Sequence, residues 1–379
     1  MALTPPPSPD SRAICLFIPH LAIGGSELQL SLLARELVRA GRRPIVATFE
    51  THHEVAEAMR SEGIEVVVLP RQGRGGLDAI LGLARLVRRE NVAIVHAWLW
   101  VSNVRAAVAR VLNPRVPVLL SIRSMEDDIG RTHETVYRLL SPLVDAILVN
   151  GRAVMERSAS RTGIARSKYR IVPNAVEADR LEAASRVPID GLPDWGDAPV
   201  AGYVGGLQAR KRVRTLARIA PRILARVPDA RFLIVGDGAE RAAFEAECAR
   251  LGVADRFHFT GYRSGVAAYM RRLRVLVHPS MNEGCCNAIL EAEALGVPPV
   301  AYAVGGNPEI VREGETGLLV PDGDEDALAD AAARLLASPD EAAGMGARAR
   351  ELIRREYSVE QMTRRTLEVY QQVLAPRRA

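Results

Sequence analysis

Short apolar runs alternate with amphipathic stretches along most of this 379-residue chain. Ala13–Ile18, Ile45–Thr48, Ile64–Leu69, Val92–Val95, Val116–Ser121, Ala146–Val149 and Tyr169–Val172 each read as a buried strand. Between them, apolar residues recur at helical spacing. Leu28, Leu32, Leu33 and Leu37 mark a helix that opens at Gly24-Gly25-Ser26-Glu27 and stops at Gly41. Further helices are predicted over 53–62, 77–90, 101–112, 132–142 and 151–160. The rhythm breaks between Ala175 and Ala198, where Val187 to Gly196 is rich in Pro and Gly. It then resumes with strands Val200–Val204, Arg231–Val235, Phe257–Phe259, Val275–Val277, Pro299–Tyr302 and Gly317–Val320, and with helices over 212–227, 239–251, 264–271 and 285–296. From Glu325 the chain is helical, with interruptions at Ser338-Pro339 and Ser358. Such alternation means βαβ units and parallel sheets. The expected organisation is a tail over 1–12, an α/β domain over 13–185, a linker over 186–198 and a second α/β domain over 199–357. A last helix within 358–379 is expected to return to the first domain. A ligand would lie in the cleft between the two, at the carboxyl ends of strands.

Composition narrows the class. The length exceeds one ordinary domain, and 48% apolar residues suffice for two cores. No apolar run approaches the roughly 20 residues of a membrane helix. Met1 to Asp10 has neither a basic region nor an apolar core, so it reads as a disordered tail rather than a signal peptide. Cys15, Cys248, Cys285 and Cys286 show no metal-ligand spacing. The adjacent pair reads as two small helix-start residues in a reducing cytosol. The net charge of +5 is uneven: 24 basic against 18 acidic residues through Leu181, then 26 against 27. The excess sits in clusters such as Arg85/Arg88/Arg89 and Arg161/Arg166/Lys168/Arg170. Those clusters suit either solvent or an acidic partner, such as an anionic membrane surface touched peripherally from the cytoplasm. Sparse aromatics and the lack of a recognition motif argue against nucleic acid. Of the 50 Lys and Arg, only Lys168 and Lys211 are Lys, so a lysine at a suggestive position is informative.

Several predicted strand ends carry candidate chemistry. Glu283 and Glu291 flank Gly284-Cys285-Cys286-Asn287, between a strand and a helix. Were 283–291 wholly helical, the two carboxylates would be about 12 Å apart. That span suits a ligand polar at both ends with an anion at the helix N-terminus between them; two solvated glutamates on an amphipathic helix are the alternative. Tyr203 to Arg212 joins a strand, the Gly205-Gly206 turn and three cations, Arg210, Lys211 and Arg212, at a helix start. Cations there oppose the helix dipole and call for an anionic partner or solvent. Gly24-Gly25 is either a plain turn or a backbone approach to an anion. His96 ends one strand and Arg123 follows another; each is either structural or part of a site. Gly236-Asp237-Gly238 is too short for a dinucleotide fingerprint. Gly305-Gly306 belongs to a compact loop expected beside Glu283.

These pieces, in this order, resemble the retaining glycosyltransferases of family 4, the group 1 type, which have the GT-B fold of two Rossmann-like domains facing each other across a cleft. The resemblance runs nearly the whole chain. It rests on the Gly24 to Glu27 loop, Val172-Pro173-Asn174, Val204-Gly205-Gly206-Leu207 with Lys211, and Val235 to Gly238. Further on it rests on Phe259-Thr260-Gly261, His278-Pro279-Ser280 with Glu283 to Glu291, Val304 to Ile310, and Gly314 to Val320. It implies that Glu291 binds the donor ribose, that Glu283 contacts the transferred sugar, and that the Cys285, Cys286 and Asn287 amides lie near the diphosphate. Lys211 would neutralise that diphosphate, and Gly24-Gly25 would approach it. Glu283, Lys211 and Arg123 are then the expected catalytic residues, with His96 and Arg123 on the acceptor side. The family commonly has Arg where Gly206 stands, so Arg210 or Arg212 would substitute. Where relatives often carry a His, this chain has Ser121-Ile122-Arg123-Ser124.

The resulting expectation is a cytoplasmic glycosyltransferase that moves a sugar from a UDP- or GDP-type nucleotide-diphospho-sugar to a cell-envelope glycan or lipid-linked acceptor. The leaving phosphate would take the acceptor's proton, and neither metal nor other cofactor is expected. The alternatives are a sugar-nucleotide epimerase or hydrolase of the same fold, and a non-catalytic nucleotide-sugar-binding protein.

Overall fold

The structure, a computed structural model, describes residues 12–22, 24–51, 53–70, 76–125, 130–189 and 191–375. The expected tail at Met1 to Asp10 lies outside them. The chain divides into two compact units, Met1–Ala175 with Val359–Ala379, and Val176–Ser358.

The first unit begins with β1 (Ala13–Phe17), β2 (His20–Leu21), α1 (Gly25–Arg39), β3 (Arg43–Thr48), β4 (Glu50–Thr51), α2 (His53–Ser61) and β5 (Glu65–Val68). It continues with α3 (Leu77–Arg89), β6 (Val92–Trp98), α4 (Leu99–Ala109), β7 (Val118–Ile122), α5 (Arg131–Leu140), β8 (Ala146–Val149), α6 (Arg152–Thr162) and β9 (Tyr169–Ile171). Seven strands form a parallel sheet in the order β5-β3-β1-β6-β7-β8-β9. Every residue of β1 and β6 is buried, because helices cover both faces of a parallel sheet; hence the continuous apolar runs. The order reverses between β1 and β6, which makes their carboxyl ends the topological switch point.

The second unit holds α7 (Ala178–Ala184), β10 (Val200–Val204), α8 (Thr215–Arg226), β11 (Arg231–Val235), α9 (Arg241–Arg250), β12 (Phe257–Phe259) and α10 (Val266–Met270). Then come β13 (Val275–His278), α11 (Asn287–Ala294), β14 (Pro299–Tyr302), α12 (Asn307–Ile310), β15 (Leu318–Val320), α13 (Glu325–Ala337) and α14 (Pro339–Glu356). Its six strands are parallel in the order β12-β11-β10-β13-β14-β15, with the switch point between β10 and β13. Among the described residues no helix is long and apolar enough to cross a membrane.

Several local expectations differ from the structure. In α1, Leu32, Leu33 and Leu37 are buried as expected, but Leu30 joins them while Leu28 is 39% exposed, so the N-terminal end of the inward stripe differs from the expected one. The stretch before the Pro/Gly segment contains α7, and the units divide at Ala175/Val176 rather than within 186–198. Local physics explains both: Val176 is buried and its N–H donates to Tyr357 O at 3.0 Å, while Leu181, Ile189, Leu192 and Trp195 pack on the second unit's core. The segment is anchored by its apolar residues despite its turn-rich composition. The helix expected from 212 starts at Thr215, after a 3-10 turn over Ala209–Lys211 and a left-handed Arg212 at φ 47°.

The last helix, α15 (Val359–Leu374), belongs to the first unit and packs on α1. Met362, Val369 and Tyr370 join the core that holds Leu30, Leu33 and Trp98. The Tyr370 hydroxyl and His96 Nδ1 share a hydrogen bond of 2.7 Å. Phenylalanine at this position would keep the packing and orphan a buried ring nitrogen, which costs about 1–3 kcal/mol. Urea unfolding of Tyr370→Phe should show that loss; an unchanged midpoint would mean that α15 is not seated as described.

Candidate functional site

The switch point of the second unit gathers most of the suspected chemistry. The loop after β10 carries Gly205 to Lys211, and the loop after β13 runs from Pro279 to Cys286, with Cys286 as the N-cap of α11. The two loops are bonded to each other, since Met281 N–H donates to the Arg210 carbonyl at 3.1 Å. Lys211 Nζ consequently donates to Glu283 Oε1, and His278 Nε2 donates to the same oxygen at 2.9 Å. Cys286 Sγ lies 3.4 Å from that nitrogen. Tyr203 stacks on the His278 ring, with centroids 5.9 Å apart and planes within 10°, and its hydroxyl donates to the Gly206 carbonyl at 3.0 Å.

Two glycine turns lock this cluster. The Gly306 N–H donates to the Glu283 carbonyl at 2.9 Å, and a Cβ on Gly305 or Gly306 would collide with the carbonyls of Glu283 or Gly284. Gly236, at φ 138°, leaves no room for a Cβ against the Gly205 carbonyl. Both turns are therefore backbone-to-backbone clamps on the two loops that bear Glu283 and Lys211.

The electrostatics follow from burial and pairing. Burial disfavours ionised Glu283, but the hydrogen bond and charge of His278, then those of Lys211, hold its carboxyl well below the usual carboxylate range. Burial also opposes a charged His278, yet Cys286 and Glu283 together push it up to about 9. Glu291 stands on α11, half-buried, with no side-chain partner among the described residues; desolvation pushes its carboxyl up to about 7. Because α11 begins at Asn287, Glu283 sits on the loop and the helical ruler of 12 Å does not apply to the pair.

The remaining expected residues scatter. Arg210 is exposed, with its Nε on Gln208 Oε1 at 3.0 Å. Arg212 pairs with Asp322 at 2.5 Å and covers the Tyr302 ring, so it is spent away from Glu283. Gly24 and Gly25 lie at the first unit's switch point, between β1 and α1. The Glu27 carboxylate stands against Gly24 and pairs with His20 Nε2 at 3.1 Å, so the negative charge that the α1 dipole favours is the chain's own.

His96 and Arg123, expected on the acceptor side, are interior residues of the first unit. His96 is 1% exposed and binds Ser121 Oγ at 2.8 Å besides Tyr370. Burial, aided by the Arg123 charge, pushes its imidazole down to about 3. Arg123 stacks 4.7 Å over Trp98 and donates to Val172 O and Asn174 Oδ1 at 3.2 and 2.8 Å. Its cation organises the Val172-Pro173-Asn174 turn. The basic cluster at 161–170 is likewise spent internally, with Arg161 on Glu134, Arg166 on Glu156, and Lys168 on the carbonyls of Ser141 and Val144.

His278 is the site residue that the sequence reading passed over. Its signal was present: a histidine closing a buried strand, five residues before Glu283 and eight before Cys286. Cys286 belongs to the same group: the side-chain donor atoms of His278, Glu283 and Cys286 all lie within 4.8 Å of one another.

The two buried histidines should titrate on opposite sides of the free value of about 6.5. His278, raised, contributes stability fully below about pH 6.5 and loses it as the pH climbs through about 9. His96, depressed, contributes above about pH 6.5 and loses it as the pH falls toward about 3. Imidazole NMR at pH 7.5, assigned with His278→Gln and His96→Gln, should show a charged His278 and a neutral His96. A neutral His278 at that pH would contradict the ion-pair geometry.

Comparison with known proteins places this site in a family. A model described as Glycosyl transferases group 1 matches residues 198–338, and one described as Glycosyltransferase Family 4 matches residues 23–180. The chain is 31% identical over 301 residues to the 2-deoxystreptamine glucosyltransferase of Streptomyces kanamyceticus, covering 74% of this chain and 76% of the relative. It is 27% identical over 343 residues to a lipopolysaccharide core biosynthesis glycosyltransferase of Rhizobium meliloti, covering 85% and 93%. Among solved structures, Anabaena HepE in complex with UDP is similar with a TM-score of 0.82 at 19% identity, covering 95% and 99%. Sucrose-phosphate synthase from Thermosynechococcus elongatus is similar with a TM-score of 0.77 at 23% identity, covering 96% and 99%. The chain belongs to the family 4, group 1 glycosyltransferases and has their GT-B fold.

Proposed function

We propose that this glycosyltransferase moves a sugar from a nucleotide-diphospho-sugar to a glycan or lipid-linked acceptor, with retention at the anomeric carbon. The observation that carries the reading is the Lys211–Glu283–His278 cluster at a strand-end switch point, followed by α11 with Glu291 about one turn into it, a carboxylate without a side-chain partner among the described residues. HepE structures bearing UDP and UDP-glucose support a nucleotide-sugar donor. The R. meliloti relative, by its name a lipopolysaccharide core biosynthesis glycosyltransferase, supports a glycan acceptor, and the S. kanamyceticus relative, by its name a 2-deoxystreptamine glucosyltransferase, suggests a small acceptor for the test.

The chemistry runs from the donor's two ends. Glu291 accepts hydrogen bonds from the ribose hydroxyls, which it does only when ionised. The diphosphate lies at the N-terminus of α11, where amides and dipole favour its charge, and Lys211 transfers from Glu283 to it. Glu283, relieved of one cation, meets the sugar and the positive charge that grows on it. Held by His278 and ionised far below neutrality, Glu283 is a poor proton acceptor, so the acceptor hydroxyl passes its proton to the leaving phosphate.

Lys211→Ala should lower kcat by about 10²-fold or more, the scale for losing one preorganised group facing developing charge. Product NMR with UDP-glucose and a 2-deoxystreptamine acceptor should show the donor's anomeric configuration; an inverted product would reject retention, and epimerised or merely hydrolysed donor would favour the alternatives. UDP-glucose affinity should fall as the pH drops from 8 to 6, because Glu291 protonates near 7 while His278 stays charged and the diphosphate diester does not titrate in that range. Glu291→Gln should bind UDP-glucose about 10- to 100-fold more weakly and without that pH dependence, measured by calorimetry. A pH dependence that survives in the variant would remove Glu291 from the ribose.

A further inference from the structure

We propose that His278 Nε2, Glu283 Oε1 and Cys286 Sγ form a binding site for a soft divalent cation, Zn²⁺ before all others. The three side chains are 1%, 9% and 5% exposed, and their ligand atoms lie within 4.8 Å of one another. In a tetrahedral zinc site, bonds of about 2.0–2.3 Å place neighbouring donors about 3.4 Å apart. The N–O and N–S separations here are 2.9 and 3.4 Å and the O–S separation is within 4.8 Å, so closing the Glu283 and Cys286 side chains on each other by up to about 1.4 Å admits an ion.

Each donor is held from a different direction. Stacking on Tyr203 fixes the imidazole plane, the Gly306 N–H fixes the Glu283 backbone, and the start of α11 fixes Cys286. Thiolate and imidazole select zinc over magnesium or calcium, which prefer oxygen ligands. On binding, the thiol proton and the imidazole Nε2 proton pass to buffer, and Lys211 leaves Glu283 to the ion. Three protein ligands leave the fourth position for water. His278 Nδ1 has no partner among the described residues, so the second contact that usually fixes a ligating histidine is missing. The site is therefore a reversible one of moderate affinity rather than a structural zinc. An ion held there takes Glu283 from Lys211 and competes with the donor; that consequence rests on the reading above, whereas the binding does not.

The test is zinc binding to the reduced, chelator-treated full chain without nucleotide. Equilibrium dialysis should find one Zn²⁺ per chain, with affinity reduced about a hundredfold in Cys286→Ser and unchanged in Cys248→Ser. Co²⁺ added to the unmutated protein should give the thiolate charge-transfer and tetrahedral d–d bands, which makes the result independent of how the variants fold. Binding unaltered in Cys286→Ser, or Co²⁺ spectra without a thiolate band, would overturn the site.

Discussion

One carboxylate holds the second unit's switch point together. Glu283 Oε1 receives both Lys211 and His278; Lys211 and Glu283 come from the loops after β10 and β13, and His278 closes β13, the two strands being those at which the sheet order reverses. The pair is only partly open to water, with side-chain exposures of 15% for Lys211 and 10% for Glu283. Removing the acid would leave two cations facing one another, a change on the order of 3–5 kcal/mol for a buried pair. A group so tightly paired is not a general base. In the proposed reaction it sets where the cations stand before the donor arrives, and entry of a more highly charged anion draws the lysine away.

Much of the packing around this carboxylate is backbone against backbone. Gly236 sits on the Gly205 carbonyl, and Gly305-Gly306 sit on the carbonyls of Glu283 and Gly284. Such contacts tolerate no Cβ, which gives the glycine pairs a physical role without any ligand contact of their own. They turn two loops, the usual home of mobility, into rigid extensions of the sheet.

The fold was largely legible because parallel strands buried on both faces leave unmistakable apolar runs, and turn residues separated them. What escaped were features set by tertiary contacts. Leu28 and Leu30 lie on different faces of α1, each at i+3 or i+4 spacing from the Leu32/Leu33 pair, and only the neighbouring core decides which face is buried. Pro and Gly between 187 and 196 signalled a linker, whereas Ile189, Leu192 and Trp195 anchor that stretch to a core. The juxtaposition of Lys211 and Glu283 was legible as motifs, since both stand on loops at the carboxyl ends of neighbouring strands, while Glu291 lies on the helix that follows. The burial of His96 and Arg123 was not legible, because strand-end polar residues look alike in sequence whether they face a ligand or a buried partner. Only the long-range contacts with Tyr370 and Asn174 distinguish them. His278 was missed for the converse reason: its partners are Glu283 and Cys286 across a loop, at spacings that no regular element repeats.

The scarcity of lysine gives a direct view of the central exchange. With only Lys168 and Lys211 in the chain, NMR of ¹⁵N-lysine-labelled protein shows two ammonium environments, one tied to the Ser141 and Val144 carbonyls and one to Glu283. Saturation with UDP should shift the Lys211 resonance, as the ammonium passes from carboxylate to diphosphate, and leave Lys168 unmoved. A Lys211 resonance unchanged in the UDP-saturated protein would contradict the account.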